Sequence, residues 1–136
     1  MLVNVPTTSL LVELRNNYGA CSKSEQLCDK MLAKLKNTSG PTEKGYQASF
    51  TMMKANWATW PNQKLAYFNE GKDLLEKTIK ANSTNIELRF LRYSLQKEIP
   101  SFLNYDNKIE DLAYIKKNVA SLSDEHLKQK IQSYIK

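Results

Sequence analysis

One stretch decides the fold: Thr84-Asn-Ile-Glu-Leu-Arg-Phe-Leu-Arg-Tyr-Ser-Leu-Gln-Lys-Glu98. Thr84-x-x-Glu87 is a capping box, which predicts that a helix begins at about Asn85, and Pro100 prevents it from continuing far beyond Glu98. Its apolar side chains point in nearly every direction around the axis, so other helices must cover it on most sides. We therefore predict that it is the central helix of an all-α fold. Its apolar residues are Ile86, Leu88, Phe90, Leu91, Leu95 and Ile99.

A polar stripe interrupts this helix. Arg89, Arg92 and Gln96 stand at offsets 0, 3 and 7, which places them on one face. Because an unpaired buried guanidinium is costly, the arginines are expected either to pair with acids or to reach solvent. The candidate acids are Glu87 and Glu70. We predict that the two arginines line a shallow groove with Tyr93 or Gln96. Its ligand would be anionic or a carboxylate-bearing peptide, since arginine binds carboxylates bidentately.

The remainder of the chain also carries helical patterns. Apolar residues recur at helical spacing, and Leu occurs 17 times but Val only 4 times, which favours helices over strands. We predict an all-α fold of about seven helices in antiparallel pairs, joined by short loops, with no strand. The first six predicted helices span about residues 10–17, 22–37, 41–59, 61–81, 85–98 and 107–120, and the last begins at about residue 123. The residues predicted to be buried are Trp57, Phe90, Leu91, Leu95 and Leu112.

Capping signals predict where the helices end. Gly19 is suited to a C-terminal cap of the first helix, while Ser22, Asn107 and Ser123 are suited to N-terminal caps. Phe102 is predicted to tuck into the corner that follows the central helix. N-terminal to that helix, a long seam of four aromatic residues and one methionine is predicted to face the core, and a ligand-binding wall is the alternative. Its members are Tyr46, Phe50, Met53, Trp57 and Trp60.

Residues 65–95 resemble a tetratricopeptide repeat. The pattern Gly71-x-x-x-Leu75-x-x-Thr78, followed by the turn at 81–85, is similar to the second helix and turn of that repeat, where small residues permit close helix approach. The segment departs from the repeat because Leu75 replaces an aromatic residue and Ser83 stands where a proline is expected. The resemblance implies one degenerate repeat within a right-handed helical array.

A second resemblance is to a family of small uncharacterised bacterial proteins with a tetratricopeptide-like helical fold. The similar segments are Phe68-Asn-Glu-Gly-Lys-Asp-Leu-Leu-Glu-Lys-Thr-Ile-Lys80, Asn85-Ile-Glu-Leu-Arg-Phe-Leu-Arg92, Ile109-Glu-Asp-Leu-x-x-Ile115 and Leu122-Ser-Asp-Glu-x-Leu127. The resemblance implies the same fold over most of residues 9–136, and no catalytic residue. It also implies an exported, periplasmic location, although Met1–Pro6 is too short for a signal peptide. We expect an N-terminal extension at 1–8 and a single helical domain at 9–136.

The sequence predicts no catalytic chemistry. His126 is the only histidine and stands beside Asp124 and Glu125 at the start of a predicted surface helix, where acids interact favourably with the helix dipole. Glu110 and Asp111 stand at another helix start. The sequence contains no glycine-rich phosphate loop and no metal-binding spacing. We therefore expect no catalytic residue, no metal and no cofactor.

The chain is basic, with 20 Lys and Arg residues against 14 Asp and Glu residues, for a net charge of +6. Its most basic stretch runs from Lys30 to Lys64, and a basic surface can attract nucleic acid. Dispersed lysines without an arginine cluster are, however, typical of a solvated surface. The apolar runs fall short of the ~18 residues that span a membrane. The lysines of the stretch are Lys30, Lys34, Lys36, Lys44, Lys54 and Lys64, and its acid is Glu43.

Cys21 and Cys28 lie seven residues apart. In one continuous helix their Cα atoms would be about 10 Å apart, whereas a disulfide requires less than about 7 Å. A bridge would therefore need a turn at Cys21 that folds back. We expect two free thiols, with Cys28 in the core. A disulfide is the alternative and would favour an oxidising compartment.

Together these observations favour a non-catalytic helical-repeat module that binds a protein or peptide, and the predicted arginine groove would suit an anionic one. The predicted contact residues are Arg89, Arg92, Tyr93 and Gln96. Nucleic-acid binding is the alternative function, and an enzyme is less favoured. The sequence leaves the oligomeric state and the identity of the partner open.

Overall fold

The structure, a computed structural model, describes the backbone of residues 7–136 and the side chains of residues 10–136. This range contains seven α-helices and three short 3₁₀ turns and no strand, which confirms the all-α prediction. The helices are α1 Thr7–Cys21, α2 Glu25–Leu35, α3 Pro41–Met53, α4 Pro61–Ala81, α5 Ile86–Glu98, α6 Lys108–Asn118 and α7 Glu125–Tyr134. The 3₁₀ turns are Lys54–Trp57, Ser101–Leu103 and Val119–Ser121.

The chain divides into two compact units, the first ending at Lys77 and the second spanning Thr78–Lys136. The single domain predicted at 9–136 stays a prediction. Of the predicted extension at 1–8, residues 1–6 lie outside the described residues, whereas Thr7 and Thr8 already belong to α1.

In the first unit, α1, α2 and α3 pack against one another. Three aromatic rings join α1 to α3: the Tyr18 ring lies edge-on to Tyr46, with centroids 5.7 Å apart, and 6.0 Å from Phe50. Such ring pairs stabilise beyond their buried area. The buried apolar residues of these helices are Leu14, Cys21, Cys28, Met31, Leu35, Tyr46, Ala48, Phe50, Met52 and Met53.

Helix α4 approaches α3 closely at Gly71. A Cβ atom at this position would clash with the Cγ of Met52 and would lie 2.6 Å from the carbonyl oxygen of Ala48. The close approach predicted for the small residues of the Gly71-x-x-x-Leu75 pattern is therefore present at Gly71.

In the second unit, the core lies between α5, α6 and α7. The buried cluster contains Ile86, Phe90, Ile115, Val119, Leu127 and Ile131, and Tyr93, Tyr114, Leu122 and Ile135 pack against it. The Phe90 ring is perpendicular to the ring of Tyr134 of α7, with 5.1 Å between centroids, so α7 makes both aliphatic and aromatic contacts.

Helix ends differ from the predicted ones by a few residues. Helix α1 continues through Gly19 to Cys21, and Gly19 does not take the left-handed conformation of a C-terminal cap. The hydroxyl of Ser24, not Ser22, accepts the Leu27 N–H and caps α2. Ser22 instead donates to the Gly19 carbonyl at 2.6 Å, which satisfies the end of α1.

The last helix is capped by Asp124 rather than Ser123. Its carboxylate accepts the backbone N–H of Leu127 at 3.0 Å. Asn85 caps α5 in the same way, accepting from Leu88 at 3.0 Å, close to the predicted start of that helix. A short polar side chain at each of these positions satisfies an N–H that the helix leaves unpaired.

The core prediction is correct for the three residues of α5 and wrong at two other positions. Phe90, Leu91 and Leu95 are buried, as predicted, whereas Trp57 and Leu112 are only half-buried. Trp57 leaves the seam because α3 tightens into a 3₁₀ turn at Lys54, and three residues per turn no longer match the 3.6-residue spacing. Trp60 consequently lies 63% exposed beyond the seam.

The corner prediction for Phe102 is also wrong. Phe102 lies in the 3₁₀ turn Ser101–Leu103 and is 82% exposed. The turn ends at Asn104, which takes a left-handed backbone conformation with φ of 55°. Because this tight turn directs its ring outward, Phe102 does not join the core.

Candidate functional site

The predicted polar stripe faces α6. The guanidinium of Arg92 donates two hydrogen bonds to the Asp111 carboxylate, from Nε to Oδ2 and from Nη2 to Oδ1, each 2.7 Å long. Both side chains are buried. A bidentate contact satisfies both charges where water is excluded, which is the condition under which a buried pair is tolerated.

Arg89 extends this network toward solvent. Its Nη1 donates to Glu110 at 3.2 Å and to Asp111 at 3.4 Å. Its Nε and Nη2 donate to the carbonyl of Ser83 at 3.2 and 3.1 Å. The guanidinium also lies 4.5 Å from the centroid of the Tyr114 ring, a cation–π distance. Arg89 thereby links the turn before α5 to the first turns of α6.

Gln96 completes the stripe by pairing with Asn107. Its Nε2 donates to Asn107 Oδ1 at 2.9 Å, and its Oε1 accepts the backbone N–H of Asn107. Asn107 precedes α6 as predicted, but its side chain makes no capping bond because Gln96 engages it. Gln96 is buried by this contact.

These contacts divide the four predicted binding residues. Arg89, Arg92 and Gln96 lie together in the contact between α5 and α6, with Arg92 and Gln96 buried. Tyr93 is half-buried and packs against the core cluster of the second unit. The arginines thus take the expected alternative of pairing with acids, and these acids include Glu110 and Asp111 of α6, which were not the candidates chosen from the sequence.

A shallow groove opens beside this network, within the second unit. We call it the α5–α6 groove. It has a volume of about 330 Å³ and is open to solvent. Tyr93 is the one predicted contact residue that lines it. The lining residues are Tyr93 and Lys97 of α5, and Lys108, Ile109 and Leu112 of α6.

Ile109 is the most unusual residue of the α5–α6 groove, since its side chain is 90% exposed. Asp111, two residues further along α6, is the residue that faces α5. Residues two apart on a helix point about 200° from each other, so Asp111 and Ile109 cannot both face α5. Asp111 was expected only to interact with the dipole of its helix. Read as a partner for the arginines of α5, it is the signal that could have revealed how α6 is rotated about its axis.

The two lysines of the α5–α6 groove have different contacts. The ammonium of Lys97 lies 5.6 Å from the centroid of the Tyr93 ring and 5.1 Å from that of Tyr134. Lys108 pairs with Asp106 at 3.0 Å. The Asp106 carboxylate also accepts the backbone N–H of Lys108 at 3.0 Å, and this bond is the main cause that lowers the pKa of Asp106.

The basic stretch Lys30–Lys64 is partly neutralised. Lys34 pairs with Glu13 at 2.7 Å, and Lys54 bridges Glu25 and Asp29, also at 2.7 Å each. Burial acts most strongly on the Lys54 pKa and lowers it, but the hydrogen bonds and charges of the two acids together raise that pKa above its ordinary value. These pairs reduce the charge that this stretch can offer a polyanion.

Both cysteines are buried free thiols in the first unit. Cys28 packs in the core, as predicted, and its Sγ donates to the Phe50 carbonyl at 3.4 Å. Burial raises the pKa of Cys21 to about 11 and, with a smaller contribution from Cys21, that of Cys28 to about 12. Since the thiolate is the reactive form, both thiols are held in their inert form.

The other side chains that could take part in catalysis or bind a metal lie at the surface or in ion pairs. His126 is exposed in the first turn of α7, on the surface helix predicted for it. Within residues 7–136, no three His, Cys, Asp or Glu side chains come together in an arrangement that could hold a metal ion. Across the same part of the chain, no helix has both the length and the apolar character that a membrane crossing requires.

Comparison with known proteins adds no family assignment: no protein-family model, curated protein or solved structure matches this chain. The arrangement of groups in the α5–α6 groove is therefore the basis for a functional proposal.

Proposed function

We propose that this chain is a non-catalytic binding module that takes a protein or peptide segment into the α5–α6 groove. The observation that carries the proposal is the 90% exposure of Ile109 at the edge of an apolar groove. Single exposed apolar residues are common on protein surfaces. Ile109, however, adjoins the half-buried side chains of Tyr93 and Leu112 in one concave surface.

The composition of the α5–α6 groove suits a peptide side chain. A volume of about 330 Å³ lies at the small end of ligand pockets, which run from about 300 to 1,000 Å³. Aromatic and aliphatic groups form its surface, and charged groups stand beside them, as at protein interfaces with an apolar centre and a polar rim. One large apolar side chain would cover Ile109 and remove it from water.

The α5–α6 groove has a rigid support. The Arg92–Asp111 and Gln96–Asn107 contacts hold α6 against α5 in one register. Because a preformed surface loses little conformational entropy on binding, such a support favours affinity.

For the helices as a whole, the proposed architecture is antiparallel pairs in a tetratricopeptide-like array. Support comes from the packing of α5 on α6 and of α2 on α3, and from the close approach of α4 to α3 at Gly71. Helical arrays of this kind commonly present binding surfaces.

The experiment is a selection of displayed random peptides on the 136-residue protein, followed by affinity measurements for the enriched peptides. Ile109→Ser should abolish most of the binding, because it removes the apolar contact while leaving a position that is exposed in the fold. The matched control is Phe102→Ser, which removes another exposed apolar side chain, one that does not line the α5–α6 groove. Failure to enrich any peptide, or equal losses in both variants, would contradict the proposal.

A further inference from the structure

The charged residues that line the α5–α6 groove are both basic. Its lining contains the two lysines Lys97 and Lys108 and no acid. They stand on different helices, one in the last turn of α5 and one at the first residue of α6. A bound segment would therefore meet a cation from each of the two helices.

The contacts that the structure describes for the Lys97 ammonium are with aromatic rings. The Tyr93 and Tyr134 rings lie 5.6 and 5.1 Å from its ammonium. A ring face attracts the cation through its quadrupole and provides no carboxylate oxygen. The contact therefore holds the charge at the groove while leaving it able to bind a carboxylate.

Lys108 can exchange its present partner at low cost. Its side chain is 39% exposed and that of Asp106 is 63% exposed, and ion pairs in such positions are weak. Asp106 would keep its bond to the Lys108 backbone N–H after the exchange. Neither group would be left buried without a partner.

Besides Asp106, acidic residues are neighbours in sequence of residues that line the groove. Glu110, next to Ile109 in sequence, pairs with Arg89. Glu98, next to Lys97, is exposed at the end of α5. The acids of this region thus lie outside the groove lining, and the lysines lie within it.

We infer that the α5–α6 groove selects an acidic peptide segment in which Asp or Glu side chains flank a large apolar residue. This inference rests on the proposed function. The apolar side chain contacts Ile109, Leu112 and Tyr93, while the carboxylates reach Lys97 and Lys108. Charge complementarity thus specifies the ligand class, and the apolar contact supplies the area removed from water.

The same displayed-peptide selection tests the inference, with sequence preference as the readout. Peptides enriched on the wild-type chain should combine Asp or Glu with Leu, Ile or Phe. A synthetic representative should bind about tenfold more weakly to the Lys97→Glu/Lys108→Glu variant and more weakly at higher salt. A second selection on that variant should enrich Lys- and Arg-containing peptides, an outcome that an unfolded variant would not give.

The matched control is Lys77→Glu/Lys80→Glu, which makes the same change in charge at two exposed positions of α4. It should leave both the affinity and the acidic preference unchanged. Equal weakening by the control would overturn the inference, because it would show attraction by net charge rather than by the groove.

The outcomes separate the inference from the proposed function. Enriched peptides that depend on Ile109 but show no acidic preference would overturn the inference alone. Absence of any enriched peptide would overturn both. Competition by a single-stranded oligonucleotide without dependence on Ile109 would favour a nucleic acid and contradict the inference. Dimerisation that Ile109→Ser abolishes, measured by sedimentation, would identify a second copy as the occupant and also contradict it.

Discussion

At the scale of single residues, Asp111 provides the buried charge that α6 contributes to its contact with α5. Its carboxylate lies at the buried centre of the contact between α5 and α6 and accepts two hydrogen bonds from Arg92. A further contact comes from Arg89 at 3.4 Å. A buried pair of this kind contributes little over an apolar pair of the same shape, but removing one partner leaves the other charge uncompensated.

Asp111→Ala should lower the free energy of unfolding by about 3–5 kcal/mol, because the buried Arg92 guanidinium loses its carboxylate. Glu110→Ala is the matched control on the same helix. It removes an acid that is 63% exposed, so its cost should be about 1 kcal/mol or less. Urea unfolding followed by circular dichroism measures both. Similar costs for the two variants would show that the network is not centred on Asp111.

The spacing of the polar stripe of α5 left its partners undetermined, and the structure supplies them from α6 and the residue before it. Sequence spacing puts Arg89, Arg92 and Gln96 on one face but carries no information about what that face meets. Asp111 and Asn107 become partners only because the corner between the helices sets the register of α6 against α5. Hydrogen bonds then offset the cost of burying a charge.

At the scale of elements, the contact of α4 with α3 depends on the absence of a side chain at Gly71. Gly71 is buried, and the nearest atoms include the backbone of Ala48 and Met52. Backbone atoms cannot move aside as the end of a flexible side chain can. The two helices can therefore approach this closely only with glycine at this position.

Gly71→Ala should destabilise the protein by about 1–3 kcal/mol through overpacking, although alanine favours helices more than glycine does. The control is Gly19→Ala, also within a helix but with no atom within 4 Å of the added Cβ. That variant should gain about 0.5–1 kcal/mol, because alanine has the higher helix propensity and there is no clash. Thermal and urea unfolding measure both changes, and stabilisation by Gly71→Ala would contradict the close approach.

The observed helix ends show what capping patterns in the sequence can and cannot predict. The capping rules predicted a helix start near each observed one, but chose Ser22 and Ser123 where Ser24 and Asp124 cap. Several polar residues stand side by side at these starts, and each could accept an N–H. Which of them does so depends on where the helix packs, so propensity locates the helix start without fixing the capping residue.

At the scale of the whole molecule, four raised pKa values couple titration to stability in the alkaline range. The pKa values of Cys21, Cys28, Lys54 and Tyr134 are all raised in the folded chain. For each group the unfolded chain releases its proton at a lower pH than the folded chain. Above pH 9.0, the ordinary pKa of a thiol, the unfolded state therefore binds fewer protons, and stability falls as pH rises.

The urea midpoint should therefore fall progressively between pH 9 and about 12, the interval between the unfolded and folded pKa values of Cys28. Cys28→Ser should show a shallower fall over this range, since serine retains a donor for the Phe50 carbonyl but does not titrate there. A midpoint that is flat above pH 9, or the same slope in both proteins, would contradict a buried protonated thiol at Cys28. Reducing agent in all samples keeps the comparison free of oxidation.

By itself, the sequence determined the fold class, the number of helices and the burial of Phe90, Leu91 and Leu95. These features follow from local propensity and from the 3.6-residue spacing of apolar residues. Only the tertiary structure decided which polar groups meet across α5 and α6, and that Ile109 rather than Arg92 faces solvent. The physical reason is that a helix has one rotation and one register relative to its neighbour. Packing and the pairing of buried charges fix both, and neither is encoded in the spacing of a single helix.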